Sequence, residues 1–197
     1  LKRLERRADK IAHKRDKLLP KWLRIAEQYL GEVERKETTP YDHPVFAYCT
    51  LWLFDVAEFD RALDWAFLAI ELGQPTPERI KRTWPTLVAG TVLDWATEQA
   101  EGGHSVEPYF GRVFAKVKSE WKLPEQVTAA WFKFAGLSLL RDAVGQVKVT
   151  AIGDAQTLQA ADELLEKAAS IHKHAMVKTV RNKIAMRLNA LESAAAQ

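Results

Sequence analysis

Apolar residues at Leu1, Leu4, Ala8, Ile11, Leu18, Trp22, Ile25 and Tyr29 recur at three- and four-residue intervals, with Arg15 breaking the series. Such a stripe predicts a helix that buries one face against a partner helix, in this chain or another. Pro20 lacks the backbone donor that a helix interior needs, which predicts a kink or restart near residue 19. The stretch KETTPYDHP (36–44) carries two prolines and two threonines and reads as a loop. A long apolar helix follows from about Val45 to Asp55, and a second from about Glu58 to Leu72. Gly73 with Pro75 and Pro77 supplies the stop. TPERIKRTWP predicts a short helix ended at Pro85. Further helices are expected over 86–101, ahead of Gly102 and Gly103, and within SVEPYFGRVFAKVKSEW. Pro124 opens PEQVTAAWFKFAGLSLLRDAV, in which Gly136 leaves room for another backbone to approach. KVTAIGD reads as a loop, and two helices over roughly 155–170 and 173–191 close the chain. Strand-like alternation is almost absent and glycine is scarce, so the expected fold class is all-α.

Small residues recur at Ala62, Ala66 and Ala69 in EFDRALDWAFLAIELG. Ala161, Leu165 and Ala168 hold the same places in GDAQTLQAADELLEKAAS. Both match the second-helix pattern of a tetratricopeptide unit, in which small side chains let paired helices pack closely. Ala62 and Ala161 stand about three repeat periods apart, without convincing units between them. The expectation is two tetratricopeptide-like hairpins rather than an array, against the plainer reading of ordinary small-residue helix packing. The domain expectation is a basic N-terminal helical arm over 1–36 and a helical body over 37–197.

Charge sharpens this picture. Residues 1–24 hold ten Lys or Arg against Glu5, Asp9 and Asp16, so that segment is +7 while the remaining 173 residues sum to −4. A basic arm on a mildly acidic body is the pattern of a chain whose one end meets a polyanion; the alternative is a solvated helix that is merely basic. Lys2, Arg3, Arg6, Arg7, Lys10, Lys14, Arg15, Lys17 and Lys21 are the candidate DNA-binding residues. A weaker basic set, Lys173, Lys178, Arg181, Lys183 and Arg187, fits DNA contact and the favourable placement of cations near a helix C-terminus equally well.

Catalytic chemistry is harder to place. Five histidines are scattered at 13, 43, 104, 172 and 174 with no cysteine pair, so no zinc set is legible. His43, beside Pro44, reads as a cap or turn residue. No phosphate-binding G-x-x-x-x-G-K-[ST] exists. Cys49, the sole cysteine, sits in an apolar helix without an adjacent base, and it fits a reducing compartment. Asp55, Glu58, Asp60 and Asp64 cluster within ten residues. A two-metal nuclease needs such carboxylates to converge in a dry pocket. The alternative makes Asp55 and Glu58 caps of the helix that follows, with Asp60 complementing its dipole. Trp52, Trp65, Trp95 and Trp131 fall on apolar faces and are assigned to the core. No catalytic residue, metal ligand or cofactor is assigned.

Four stretches resemble the small terminase subunit of tailed temperate myophages. They are LLPKWL (18–23), LWLFDVAEFDRALDWAFLAIELG (51–73), RTWP (82–85) and LPEQVTAAWFKFAGLSLL (123–140). The likeness rests on their order and on coverage of roughly residues 18 to 190, since no one motif is catalytic. The resemblance implies a DNA-recognition component of a genome-packaging motor. It implies a homo-oligomeric ring that binds double-stranded DNA at the packaging or cohesive-end site and recruits a large terminase subunit. That large subunit carries the ATPase and nuclease, so the family label "endonuclease subunit" is read as an activity of the complex. The implied setting is the host cytoplasm, outside the mature virion and away from membranes. The chain begins at Leu1 rather than Met, which implies a missing N-terminal piece. It stops at Gln197, where family members can carry a basic C-terminal extension. Two other classes remain open: a helical metal-dependent endonuclease in its own right, and a tetratricopeptide-like interaction scaffold without DNA binding.

Overall fold

The computed structural model describes residues 4–195, and the chain is all-α. It divides into two compact units, Leu1–Val88 and Ala89–Gln197.

In the first unit, α1 (Arg7–His13) runs through a π-helical turn (Lys14–Leu18) into α2 (Leu19–Glu34). The expected break near residue 19 takes this form. Proline at the start of α2 removes one i to i−4 bond, and the wider turn ahead of it absorbs the mismatch. Leu19, Ala26 and Tyr29 are buried from α2, whereas Ile25, counted on the apolar stripe, is 42% exposed. The loop before Pro44 follows, then α3 (Pro44–Asp55) and α4 (Phe59–Glu71). Helix α2 packs on α3 and α3 on α4. Phe46, Leu53, Ala62, Leu63, Ala66 and Ala69 are fully shielded from solvent, and the Phe46 and Trp65 rings lie 5.4 Å apart.

One polar knot ties these parts. Tyr29 is 2% exposed; its hydroxyl donates to Tyr41 O (3.1 Å) and accepts from Gln74 Nε2 (3.0 Å). Gln74 also donates to Tyr41 O (2.6 Å) and accepts from the His43 amide (2.9 Å). The His43 ring stacks on Tyr29 at 4.3 Å. Its Nδ1 accepts the Phe46 amide (3.0 Å), capping α3 in the role expected of this residue. Burial holds the His43 imidazole below its ordinary pKa and pushes the Tyr29 phenol up.

The segment 74–83 is a loop, not the short helix expected. The Thr76 hydroxyl donates to Ile80 O and Arg82 O. Pro85 falls in the first turn of α5 (Trp84–Glu101), so it opens a helix rather than ending one.

The second unit takes the rest of α5, then α6 (Tyr109–Ser119), α7 (Glu125–Ser138), a short 3-10 turn (Val149–Ala151), α8 (Ala155–Ile171) and α9 (Lys178–Ala195). Helix α7 ends at Ser138, short of the expected Val144. There the chain turns into an isolated antiparallel bridge between Arg141 and Val147. Asp142 holds that turn by accepting the Val144 and Gln146 amides. Asp154 caps α8 through the Gln156 and Thr157 amides.

Helices α7 and α8 make the most extensive helix contact. Gly136 permits it: a β-carbon there would stand 2.9 Å from Leu165 Cγ and 3.0 Å from the Ala161 carbonyl oxygen. Ala161, Leu165 and Ala168 are fully buried, as Ala62, Ala66 and Ala69 are in the first unit. Both small-residue ladders thus serve close packing, and the tetratricopeptide likeness is not confirmed beyond that. Trp65 and Trp131 are core as expected, whereas Trp52 and Trp95 are half-buried.

Two stability tests come from this architecture. Gly136→Val is expected to cost about 1–3 kcal/mol through overpacking. Gly153→Ala, with nothing within 4 Å, leaves the thermal midpoint within a degree or two of the parent, roughly the shift of a surface change. For His43, the unfolded chain takes up a proton near the ordinary value of about 6.5 before the folded protein does. The stabilising difference is therefore present above that pH and is lost as pH falls through the lowered folded value. Thermal midpoints are expected to drop between about pH 7 and 5.5. His43→Asn retains a capping acceptor and flattens that dependence.

Candidate nucleic-acid interface

The basic arm is one face of a helix whose other face is committed to the first unit. Ala26 and Tyr29 point inward from α2; the exposed Lys21, Arg24 and Gln28 lie on the side away from them, and the exposed Ile25 lies at the edge of the buried line. Upstream, Arg6, Arg7, Arg15 and Lys17 are exposed and Lys10 is half-buried. None of Arg6, Arg7, Lys10, Arg15, Lys17 or Arg24 forms an ion pair with a described residue. Lys21 lies over the Trp22 ring at 5.0 Å. Lys2 and Arg3 lie outside the described residues.

Lys14 differs from its neighbours. Its ammonium ion-pairs with Asp55 at the end of α3, and its side chain is only 12% exposed. This charge is used to anchor the arm within the first unit. Arg61 of α4 pairs in the same way with Glu27 of α2 and stacks over the Trp65 ring at 4.7 Å. The arm's inner side therefore carries compensated charge, while Arg6, Arg7, Arg15, Lys17 and Arg24 on its outer side form no ion pair with a described residue.

These pairings correct the reading of the acidic cluster. Asp55 does not cap α4; it holds Lys14. Glu58 occupies the cap position of α4 without a side-chain cap bond. Among the described residues, no group of three or more His, Cys, Asp or Glu side chains is placed to hold a metal ion. Cys49 is fully buried, and burial pushes its thiol up to about 12, far from the thiolate a nucleophile requires.

The second basic set is partly consumed by packing. Arg181 makes a two-pronged bond to Asp162 on α8, 2.8 Å at each prong, with Glu166 at 3.3 Å. Asp162 thereby holds that guanidinium protonated well above the usual arginine range. Arg187 Nε donates to Ile152 O at 2.9 Å. Lys173 precedes α9 and Lys178 begins it, so neither sits at the helix C-terminus. Lys183 is exposed.

Arg24 and Gln28 were missed as candidate residues. Arg24 counted only toward the arm's charge, although its spacing from Lys21 and Gln28 already places all three on one face. Their neighbour Ile25 was misassigned to the buried stripe.

The fold is all-α, with an outward basic face on a helix anchored in the first unit. A family model for the phage small terminase subunit matches residues 1–126. The chain is 42% identical over 185 residues to the "Probable terminase, endonuclease subunit" of Haemophilus phage HP1 (strain HP1c1). That alignment covers 94% of this chain, and the chain spans 64% of the relative's length. No solved structure matches it. The chain belongs to the phage small terminase subunit family. Among the described residues no helix is long and apolar enough to cross a membrane.

The anchoring pair has a measurable worth. Lys14→Met and Asp55→Asn, combined in a double-mutant cycle of thermal or urea unfolding, are expected to show a coupling of about 0.5–1 kcal/mol. A coupling of zero removes the pair from what orients the arm.

Proposed function

We propose that this chain binds viral double-stranded DNA through its N-terminal arm, as the recognition subunit of a packaging complex. The observation that carries the reading is the sorting of charge on the arm. Lys14 is neutralised by the fold, whereas Arg6, Arg7, Arg15 and Lys17 project outward with no ion-pair partner among the described residues. Neutralising phosphates needs only such cations, and their release of counterions supplies the affinity.

In this reading the subunits assemble into a homo-oligomeric ring at the packaging or cohesive-end site. The ring directs a large terminase subunit, which carries the ATPase and the nuclease, to the DNA in the host cytoplasm. A ring multiplies weak contacts, because each bound arm raises the effective concentration of the next. The relative's name includes "endonuclease subunit"; cutting is assigned here to the complex. Arm 1–36 then serves DNA contact and assembly, and body 37–197 serves assembly and recruitment.

Duplex retention measured across salt concentrations tests this. Replacing Arg6, Arg7, Lys10, Arg15 and Lys17 with Gln is expected to flatten the slope of log K against log salt by about 0.9 per lost phosphate contact. An unchanged slope removes the arm from the interface. Native mass measurement of the same complexes reads the subunit number, and a monomer on DNA rules out the ring. Plasmid incubated with the chain alone and Mg²⁺ or Mn²⁺ is expected to stay intact; cutting that vanishes in Asp55→Asn reverses the assignment.

A further inference from the structure

We infer that the outer face of α2 enters the DNA major groove and reads base edges, with Arg24, Ile25 and Gln28 as the reading side chains. This rests on the proposed DNA-binding function and names which part of the arm carries sequence information.

Three observations converge on it. Lys21, Arg24, Ile25 and Gln28 are all exposed. Within one uninterrupted helix, the spacing of Lys21, Arg24 and Gln28 puts them on the side away from the buried Ala26 and Tyr29, and Ile25 stands at the edge of that face. The helix they ride on is fixed, by Lys14 to Asp55 upstream and by the Tyr29 knot downstream, so the face is presented by a rigid element rather than a loop. A rigid helix is what the major groove admits.

The chemistry of the face goes beyond phosphate neutralisation. Besides Arg24 and Gln28, the face presents an isoleucine left 42% exposed. Arginine presents a fork that matches guanine O6 and N7. A glutamine amide matches adenine N7 and N6, and an aliphatic side chain packs on the thymine methyl. Arg24 forms no ion pair with a described residue, so its fork is free. Gln28 donates to Glu32 at 2.8 Å on the solvent side, an exposed bond that DNA can replace and that orients the amide beforehand. Lys21 and Lys17, about one and two turns upstream, are left for the flanking phosphates. The arm thus divides into a phosphate-gripping part, residues 6–21, and a reading part, residues 24–28.

The test uses the full chain and a pool of duplexes with a randomised central segment, selected by retention and sequenced. The parent chain is expected to enrich a motif. Arg24→Lys keeps the charge and loses the fork, and Gln28→Ala loses the amide. Each is expected to reduce discrimination at one or two motif positions about tenfold. Affinity for the unselected pool and its salt slope should change less than threefold. Circular dichroism melting confirms that each variant is folded, which exposed positions favour.

The inference is overturned if both variants enrich the parent motif undiminished, or if the parent enriches none while still retaining duplexes in a salt-dependent way. The second result leaves the arm as a phosphate binder and the proposed function standing. No salt-dependent retention of any duplex overturns both. An equal loss of pool affinity and discrimination in Arg24→Lys assigns Arg24 to phosphate contact and removes it from readout.

Discussion

The first unit closes on Tyr29. Its ring and hydroxyl draw together the end of α2, the loop before α3, the capped start of α3 and Gln74 beyond α4. Each polar atom in this knot that lies away from water has a partner, which is the condition for burying it at all. The consequence reaches past stability. With Tyr29 and Ala26 facing inward, helix geometry leaves α2 no choice about which residues face out. Lys21, Arg24 and Gln28 are exposed because Ala26 and Tyr29 are buried, and Ile25 stands at the border between the two sides. The anchoring of a tyrosine thus decides the chemistry of the opposite surface.

Ion pairing repeats this division of labour. Lys14 and Arg61 each face a carboxylate across a helix contact, so the charges nearest the packed side are compensated. Such pairs contribute little to net stability when half exposed, but they fix register between elements. Phosphate binding requires the reverse arrangement, cations whose only alternative partner is water. Both kinds of lysine occur in one short stretch. A sequence shows ten cations in 24 residues without saying which are already engaged.

That limit explains what was legible and what was not. Helix existence was readable from the three-four spacing of apolar residues and from Gly73 and the prolines, because these are local effects. His43 as a cap, Gly136 as a site of close approach and the alanine ladders as packing faces were also readable, since each follows from one residue's geometry. Pro85 was misread because proline both ends helices and begins them, and only the loop bonds of Thr76 decide which. The early end of α7 depends on the bridge of Arg141 to Val147, a pairing across a turn that no helical periodicity displays. Asp55 was misread as a cap because its partner, Lys14, is 41 residues away.

The exposed Ile25 illustrates how a failed expectation becomes informative. Periodicity assigned it to the buried stripe because it is apolar and correctly spaced from Trp22 and Tyr29. The π-helical turn over 14–18 shifts the phase between residues on either side of it, but Trp22, Ile25 and Tyr29 all follow it. Ile25 is exposed because it stands at the edge of the buried line within α2. Downstream, the buried line runs through Leu19, Ala26 and Tyr29, and Ile25 lies outside it. An inserted turn of this kind breaks good hydrogen-bond geometry for no gain in packing. It persists where re-aiming the following side chains matters. Here Lys14, within the irregular turn, is paired with Asp55, while the regular helix α2 that follows turns Arg24 and Gln28 to the outside through its own buried residues.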